Sequence, residues 1–79
     1  MDKDGLIKRI ENKHRKFGNI HVSMEIRDQG QEPDECDLLS KDGGELCLES
    51  KDGKWVYPLT DLTKRELEFL IKEINKNTK

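Results

Sequence analysis

A chain of 79 residues, of which 41 % are charged and only 32 % hydrophobic, is long enough for one small domain with a thin core. It has no apolar run approaching the roughly 20 residues that a membrane-spanning helix needs, and no apolar segment follows Met1 as in a secretion signal. The two cysteines, Cys36 and Cys47, allow at most one internal disulfide, and we expect a cytoplasmic protein with reduced thiols.

The formal net charge of −2 conceals three regions of different sign. Residues 1–27 carry seven basic and four acidic side chains, and residues 28–49 carry one basic and eight acidic side chains. Residues 50–79 carry seven basic and five acidic side chains. An acidic centre therefore lies between two mildly basic ends.

The first segment is predicted to be a helix that ends at Gly18, since glycine readily adopts the left-handed conformation of a helix terminus. Its apolar and semi-apolar side chains recur at steps of three and four residues and so share one face. They are Leu6, Ile7, Ile10, His14 and Phe17.

Residues 20–27 alternate strictly between apolar and polar side chains, which predicts a strand with one buried face. Residues 28–35 contain Gly30, Pro33 and no apolar side chain, which predicts a loop. The acids of this loop, together with Asp37 two residues after it, form an acidic cluster. Its members are Asp28, Glu32, Asp34, Glu35 and Asp37.

The tetrapeptide Ser-Lys-Asp-Gly occurs at residues 40–43 and again at 50–53. Asp-Gly between two alternating segments is typical of a β-hairpin turn. A turn at Asp52-Gly53 places Glu49 opposite Val56 and Leu48 opposite Tyr57. One face then collects Leu46, Leu48, Trp55, Tyr57 and Leu59. The same reasoning around residues 41–44 places Leu39 opposite Leu46.

The last segment carries a helix-start signature, because Thr63 and Glu66 form a capping box. Apolar side chains then follow one helical face at Leu67, Leu70, Ile71 and Ile74. We therefore expect a single α+β domain over residues 1–79, a two-layer sandwich of order αββββα. A four-stranded antiparallel meander would carry both helices on one face.

Metal and cofactor chemistry is not expected. With Gly43 at the sixth position of a calcium loop, Leu38 falls where the first acidic ligand should be. The zinc-type ligands are His14, His21, Cys36 and Cys47, and their spacing contains neither a CxxC nor an HxxxH pair. The predicted register does place His21, Cys36 and Cys47 on one outer sheet face. The spacing nevertheless favours ordinary surface side chains over a metal site.

Catalysis is not expected either. The sequence contains no G-x-S-x-G nucleophile frame and no G-x-x-x-x-G-K-[ST] phosphate loop. A Cys–His pair stays open as an arrangement, but one layer of sheet offers little concavity for a substrate.

Nucleic-acid binding is one alternative. The first helix carries a basic set, Lys8, Arg9, Lys13, Arg15 and Lys16. The helix–strands–helix order, with the short basic start Thr63-Lys64-Arg65 of the last helix, resembles the double-stranded-RNA-binding domain in topology alone. The resemblance implies contact with duplex RNA, whereas the net negative charge favours a solvated helix face.

Protein binding is the function that we expect. In the predicted register, an apolar stripe on the outer sheet face consists of Leu38, Cys47 and Val56, with Glu45 and Glu49 beside it. Short apolar stripes with polar rims are typical of interfaces. The partner would be another protein or a second copy in a homodimer. A third possibility is a small inhibitor whose acidic loop mimics nucleic-acid phosphates.

Overall fold

The chain was analysed as a computed structural model that describes residues 2–24, 34–40 and 44–78. Helix α1 spans Lys3–Phe17 and helix α2 spans Lys64–Asn77. Between them lie the strands β1 (Ile20–Met24), β2 (Asp34–Ser40), β3 (Leu46–Ser50) and β4 (Val56–Pro58), and then a 3-10 turn at Leu59–Asp61.

The four strands form one antiparallel sheet in the order β1-β2-β3-β4. The αββββα order and the α+β class are thus confirmed. Positions 25–27 of the predicted first strand and positions 28–33 of the predicted acidic loop lie outside the described residues. The end of that loop was predicted wrongly, because Asp34 and Glu35 pair with Met24 and Ser23 as the first residues of β2.

Both helices pack on one face of the sheet, which we call the inner face. Helix α1 begins at Asp2, whose carboxylate accepts a hydrogen bond from the Gly5 N–H, and it ends at Gly18 with a positive φ of 79°. Helix α2 begins at the predicted capping box of Thr63 and Glu66. It lies against β1 and against α1.

The core lies between the helices and the inner face of the sheet. Removing this apolar surface from water is the main force that holds so small a domain together. The buried side chains of the helices are Leu6, Ile10, Leu67, Leu70 and Ile74. Those of the sheet and of the segment before α2 are Ile20, Val22, Cys36, Leu38, Leu46, Leu48, Leu59 and Leu62.

The β3–β4 hairpin has the predicted register, with Leu48 opposite Tyr57 and Glu49 opposite Val56. Its loop comprises residues 51–54, and the Ser50 N–H donates to the Trp55 carbonyl at 3.0 Å. The Asp52 carboxylate accepts hydrogen bonds from the Lys54 N–H at 3.0 Å and from the Ser50 hydroxyl at 2.8 Å. These two bonds, the Lys54 one first, lower the pKa of Asp52 below its ordinary value.

The β2–β3 hairpin differs from the prediction by one residue. Leu39 lies opposite Cys47 rather than Leu46, and Leu38 lies opposite Leu48. Because successive side chains of a strand point to opposite faces, this shift turns Cys36 and Leu38 inward, where both are fully buried, and turns Leu39 outward. Leu38 was therefore wrongly assigned to the outer face.

This register predicts different costs for truncating two adjacent leucines. Leu38→Ala should lower the free energy of unfolding by about 2–5 kcal/mol or unfold the protein, because it leaves a cavity in the core. Leu39→Ala should cost less than about 1.5 kcal/mol, since the half-buried Leu39 side chain lies outside the core. Urea unfolding followed by circular dichroism measures both. A larger loss for Leu39→Ala would contradict the register.

Candidate functional site

The face of the sheet opposite the helices is called the outer face. Strand alternation assigns its residues: each directs its side chain away from the helix layer. They are His21 and Ser23 of β1, Glu35, Asp37 and Leu39 of β2, Cys47 and Glu49 of β3, and Val56 and Pro58 of β4.

One end of the outer face is apolar. Leu39, Cys47 and Pro58 are paired neighbours on three adjacent strands and form a row across the sheet. Val56 lies on the same face in the next row, directly opposite Glu49, and is 42 % exposed. The three residues of the first row, together with Val56 beside them, are called the apolar row below. Exposed apolar area in one place, rimmed by polar groups, is a feature of interaction surfaces.

Cys47 is the best covered member of the apolar row. It is only 3 % exposed although it lies outside the core cluster. Its Sγ lies 3.8 Å from the carbonyl oxygen of Leu39, across the strand pair. Leu39 and Pro58 flank it on the two adjacent strands, so the row packs as a continuous strip and not as scattered single side chains.

Apart from Val56, the rest of the described outer face is polar or charged. The Nδ1 atom of His21 lies 3.1 Å from a carboxylate oxygen of Asp37, and its Nε2 atom lies 3.7 Å from Glu35. The Lys51 ammonium lies 3.5 Å from the other Glu35 oxygen. All these side chains are at least 44 % exposed, so the pairs contribute little to stability. They do fix the direction of the His21 ring.

The sequence-predicted interface residues are thus placed in different ways. Val56, Cys47 and Glu49 lie on the outer face, and Glu45 is exposed immediately before β3. Leu38 is in the core. Leu39 lies opposite Cys47 on the outer face, where Leu38 was expected.

Leu39 and Pro58 are the apolar outer-face residues that the sequence reasoning missed. A signal for Leu39 was present, because pairing Leu38 with Leu48 sets apolar side chains opposite each other on the inner face. That pairing needs five residues between Ser40 and Leu46, which the extra Gly44 supplies. Gly44 has a φ of 84°, a conformation that other residues rarely adopt.

The predicted acidic cluster is divided. Glu35 and Asp37 lie on the outer face of β2, and the backbone of Asp34 begins that strand. Asp28 and Glu32 lie outside the described residues. Glu35 and Asp37 are therefore part of a strand surface, and both contact His21.

The residues once considered as metal ligands do not converge. Cys36 is on the inner face and Cys47 on the outer face, so the expectation that they share the outer face with His21 was wrong. His14 contacts the Asn19 side chain at 3.1 Å. Within residues 2–24, 34–40 and 44–78, no group of three or more His, Cys, Asp and Glu side chains could hold a metal ion.

The basic residues of α1 lie on the helix layer, away from the outer face. Lys8, Arg9, Arg15 and Lys16 are exposed, and Lys13 is half-buried. The ammonium groups of Lys13 and Lys16 lie 5.6 Å and 5.3 Å from the centre of the Phe17 ring, which is within cation–π range.

Comparison with known proteins gives no relative: no protein-family model, curated protein or solved structure matches the chain. Neither α1 nor α2, the helices of the described residues, is long and apolar enough to cross a membrane.

Because Leu39 packs beside Cys47, truncating Leu39 should change the reactivity of the Cys47 thiol selectively. Both thiols should react slowly with iodoacetamide in the native protein, since Cys36 is fully buried and Cys47 almost so. Leu39→Ala should speed the alkylation of Cys47 severalfold and leave Cys36 unchanged, as read by mass spectrometry of the two peptides. Phe69→Ala on α2 is the control. Equal acceleration of both thiols would indicate general loosening and contradict the packing of the row.

Proposed function

We propose that the chain is a small non-catalytic protein-binding module whose contact surface is the outer face of the sheet. The observation that carries the proposal is the apolar row of Leu39, Cys47, Val56 and Pro58 beside a charged strip on the same flat surface. An apolar centre with a polar rim is the usual composition of a protein interface.

Charge identifies the kind of partner. The carboxylates on or beside the outer face are Glu35, Asp37, Glu45 and Glu49, and the Lys51 ammonium contacts Glu35 beside them. The surface potential there is negative, so a partner with Lys or Arg around an apolar contact complements it. We infer a basic protein surface as the ligand.

The placement of His21 and Cys47 supports a binding role over a catalytic one. His21 is on β1 and Cys47 on β3, with β2 between them. Two strand spacings amount to about 9–10 Å, which is too far for direct proton transfer between the two side chains. The ring of His21 instead contacts the carboxylates of Asp37 and Glu35.

Two matched substitutions test the surface. Val56→Glu introduces a charge into the apolar row, and Phe69→Glu introduces the same charge at a residue of α2 that is 50 % exposed. Both should change the free energy of unfolding by less than about 1 kcal/mol, because neither side chain is in the core. Immobilised wild type, Val56→Glu and Phe69→Glu proteins are compared in affinity capture from cell extract, with quantitative mass spectrometry.

We expect proteins with basic surfaces to be retained by the wild type and by Phe69→Glu, and to be depleted at least tenfold with Val56→Glu. Their retention should also fall as salt is added, since the rim contacts are ionic. Equal retention by Val56→Glu and wild type would refute the outer face as the contact surface. Unfolding of Val56→Glu would show that the face belongs to the core.

A second candidate function is nucleic-acid binding by α1. The specific observation is that two lysines flank Phe17, which is 42 % exposed at the end of that helix, so cations and an aromatic ring lie together. Exposed rings beside lysines can stack on bases while the ammonium groups meet phosphates.

Fluorescence anisotropy with labelled RNA and DNA, each single-stranded and duplex, tests this candidate. Binding through α1 should weaken steeply between about 50 and 200 mM salt, because phosphate contacts release counterions. The double variant Lys13→Gln, Lys16→Gln should weaken it at least tenfold, with Lys72→Gln, Lys76→Gln on α2 as the charge-matched control. No binding at low salt, or equal losses in the two variants, would exclude α1 as a nucleic-acid site.

A further inference from the structure

Strand β1 lies at one edge of the sheet, and the direction of its backbone groups follows from one hydrogen bond. The Lys51 N–H donates to the Glu35 carbonyl at 3.0 Å, so the backbone of Glu35 points toward β3. Backbone groups alternate along an antiparallel strand, so those of Cys36 and Leu38 point toward β1. Their partners Val22 and Ile20 must point back toward β2. The N–H and C=O groups of His21 and Ser23 therefore point out of the sheet.

The opposite edge of the sheet, formed by β4, is protected against pairing with a further strand, whereas β1 is not. Strand β4 has only three residues and ends at Pro58, which has no N–H. Because Pro58 lies opposite Cys47, its backbone nitrogen faces the outer edge of the sheet. That edge therefore lacks a hydrogen-bond donor at Pro58. Strand β1 reads IHVSM over five residues and contains no proline, lysine or glycine. Lysine and proline are the usual devices that keep an edge strand from pairing.

Among residues 2–24, 34–40 and 44–78, the surroundings of β1 also leave its edge approachable. The His21 ring turns toward Asp37 and Glu35 on β2, away from the edge. An open groove of about 470 Å³ lies beside the start of the strand, lined by Phe17, Asn19, Ile20, His21, Asn77 and Thr78. The last residues of both helices, Phe17 and Asn77, therefore border this groove together with the first residues of β1.

We propose that β1 is a self-association edge, at which two copies of this chain pair antiparallel through their β1 strands to form one eight-stranded sheet. In the register centred on Val22, His21 of each copy lies opposite Ser23 of the other. The N–H of each then donates to the C=O of the other, so all four outward groups of His21 and Ser23 in each copy are satisfied. Val22 meets Val22, and Ile20 lies opposite Met24, so apolar positions oppose apolar positions.

A second copy is the occupant that this edge fits. The pairing sets no like charges opposite each other, because His21 faces Ser23, and its two-fold symmetry uses the same residues in both copies. The dimer would also make the two outer faces continuous. It does not depend on the proposed partner binding, since it uses the edge and not the apolar row.

The test uses a proline that removes only an outward donor. Ser23→Pro deletes the outward N–H and leaves the β1–β2 ladder intact, because the Ser23 N–H does not point to β2. Ser23→Ala keeps that N–H and is the matched control. Sedimentation equilibrium across micromolar to millimolar concentration measures the dimer dissociation constant, and circular dichroism checks that each variant is folded.

We expect reversible dimers of the wild type and of Ser23→Ala, and at least a tenfold larger dissociation constant for Ser23→Pro. Two hydrogen bonds are lost by symmetry, and the ring obstructs the approach of the second strand. A wild type that stays monomeric up to millimolar concentration would overturn the proposal. Unchanged dimerisation of Ser23→Pro, or dimers abolished by Val56→Glu instead, would overturn it as well.

A second measurement needs no variant and decides the matter if Ser23→Pro fails to fold. Amide hydrogen exchange by NMR should show the His21 and Ser23 amides gaining protection as the wild-type concentration rises. The Val22 amide, already bonded to β2, should be protected throughout. Concentration-independent, rapid exchange at His21 and Ser23 would overturn the proposal.

Discussion

The pairing of Leu38 with Leu48 between β2 and β3 is the constraint on which the rest of the structure depends. These two fully buried side chains lie at the middle of the sheet and are covered by the helix layer. Burying a leucine contributes about 1.5–3 kcal/mol, which is a large share of the stability of so small a domain. Because side chains alternate with a period of two, fixing this one pair assigns every residue of both strands to a face.

The outer face follows from that assignment. With Leu38 inward, Leu39 must face outward next to Cys47. The β3–β4 register then adds Pro58 to the same row and places Val56 in the next row, opposite Glu49. The same alternation brings His21, Asp37 and Glu35 together on the outer face, where their contacts hold the histidine ring over β2. The backbone N–H and C=O groups of each strand also alternate in direction from one residue to the next. The register that creates the apolar row therefore also directs the hydrogen-bonding groups of His21 and Ser23 toward the free edge. Two proposed contact surfaces thus have one geometric origin.

Local signals predicted most of the fold from the sequence. The capping box at Thr63, the stop at Gly18 and the alternation of β1 each depend on neighbouring residues, so no distant contact was needed to interpret them. The β3–β4 register also came out correctly, since the loop of four residues has the same centre as the predicted Asp52-Gly53 turn. The β2–β3 register did not. The two consecutive glycines 43 and 44 allow several loop lengths, and the choice is made by packing of Leu38 under the helices, which is a tertiary effect. Because of this wrong register, the sequence assigned Leu38 to the outer face. Val56 and Glu49 were assigned to the correct face, because their positions depend on the β3–β4 hairpin.

Cross-strand contacts between α-protons test the central pairing most directly. Leu38 and Leu48 form a pair without mutual backbone hydrogen bonds, in which the Cα atoms are about 4.5 Å apart and the α-protons face each other. A nuclear Overhauser spectrum in D₂O should therefore contain strong α-proton cross-peaks between Leu38 and Leu48 and between Cys36 and Ser50. Cross-peaks linking Leu38 to Cys47 in their place would show that the register is shifted by one residue, and would contradict both the outer face and the free edge as described.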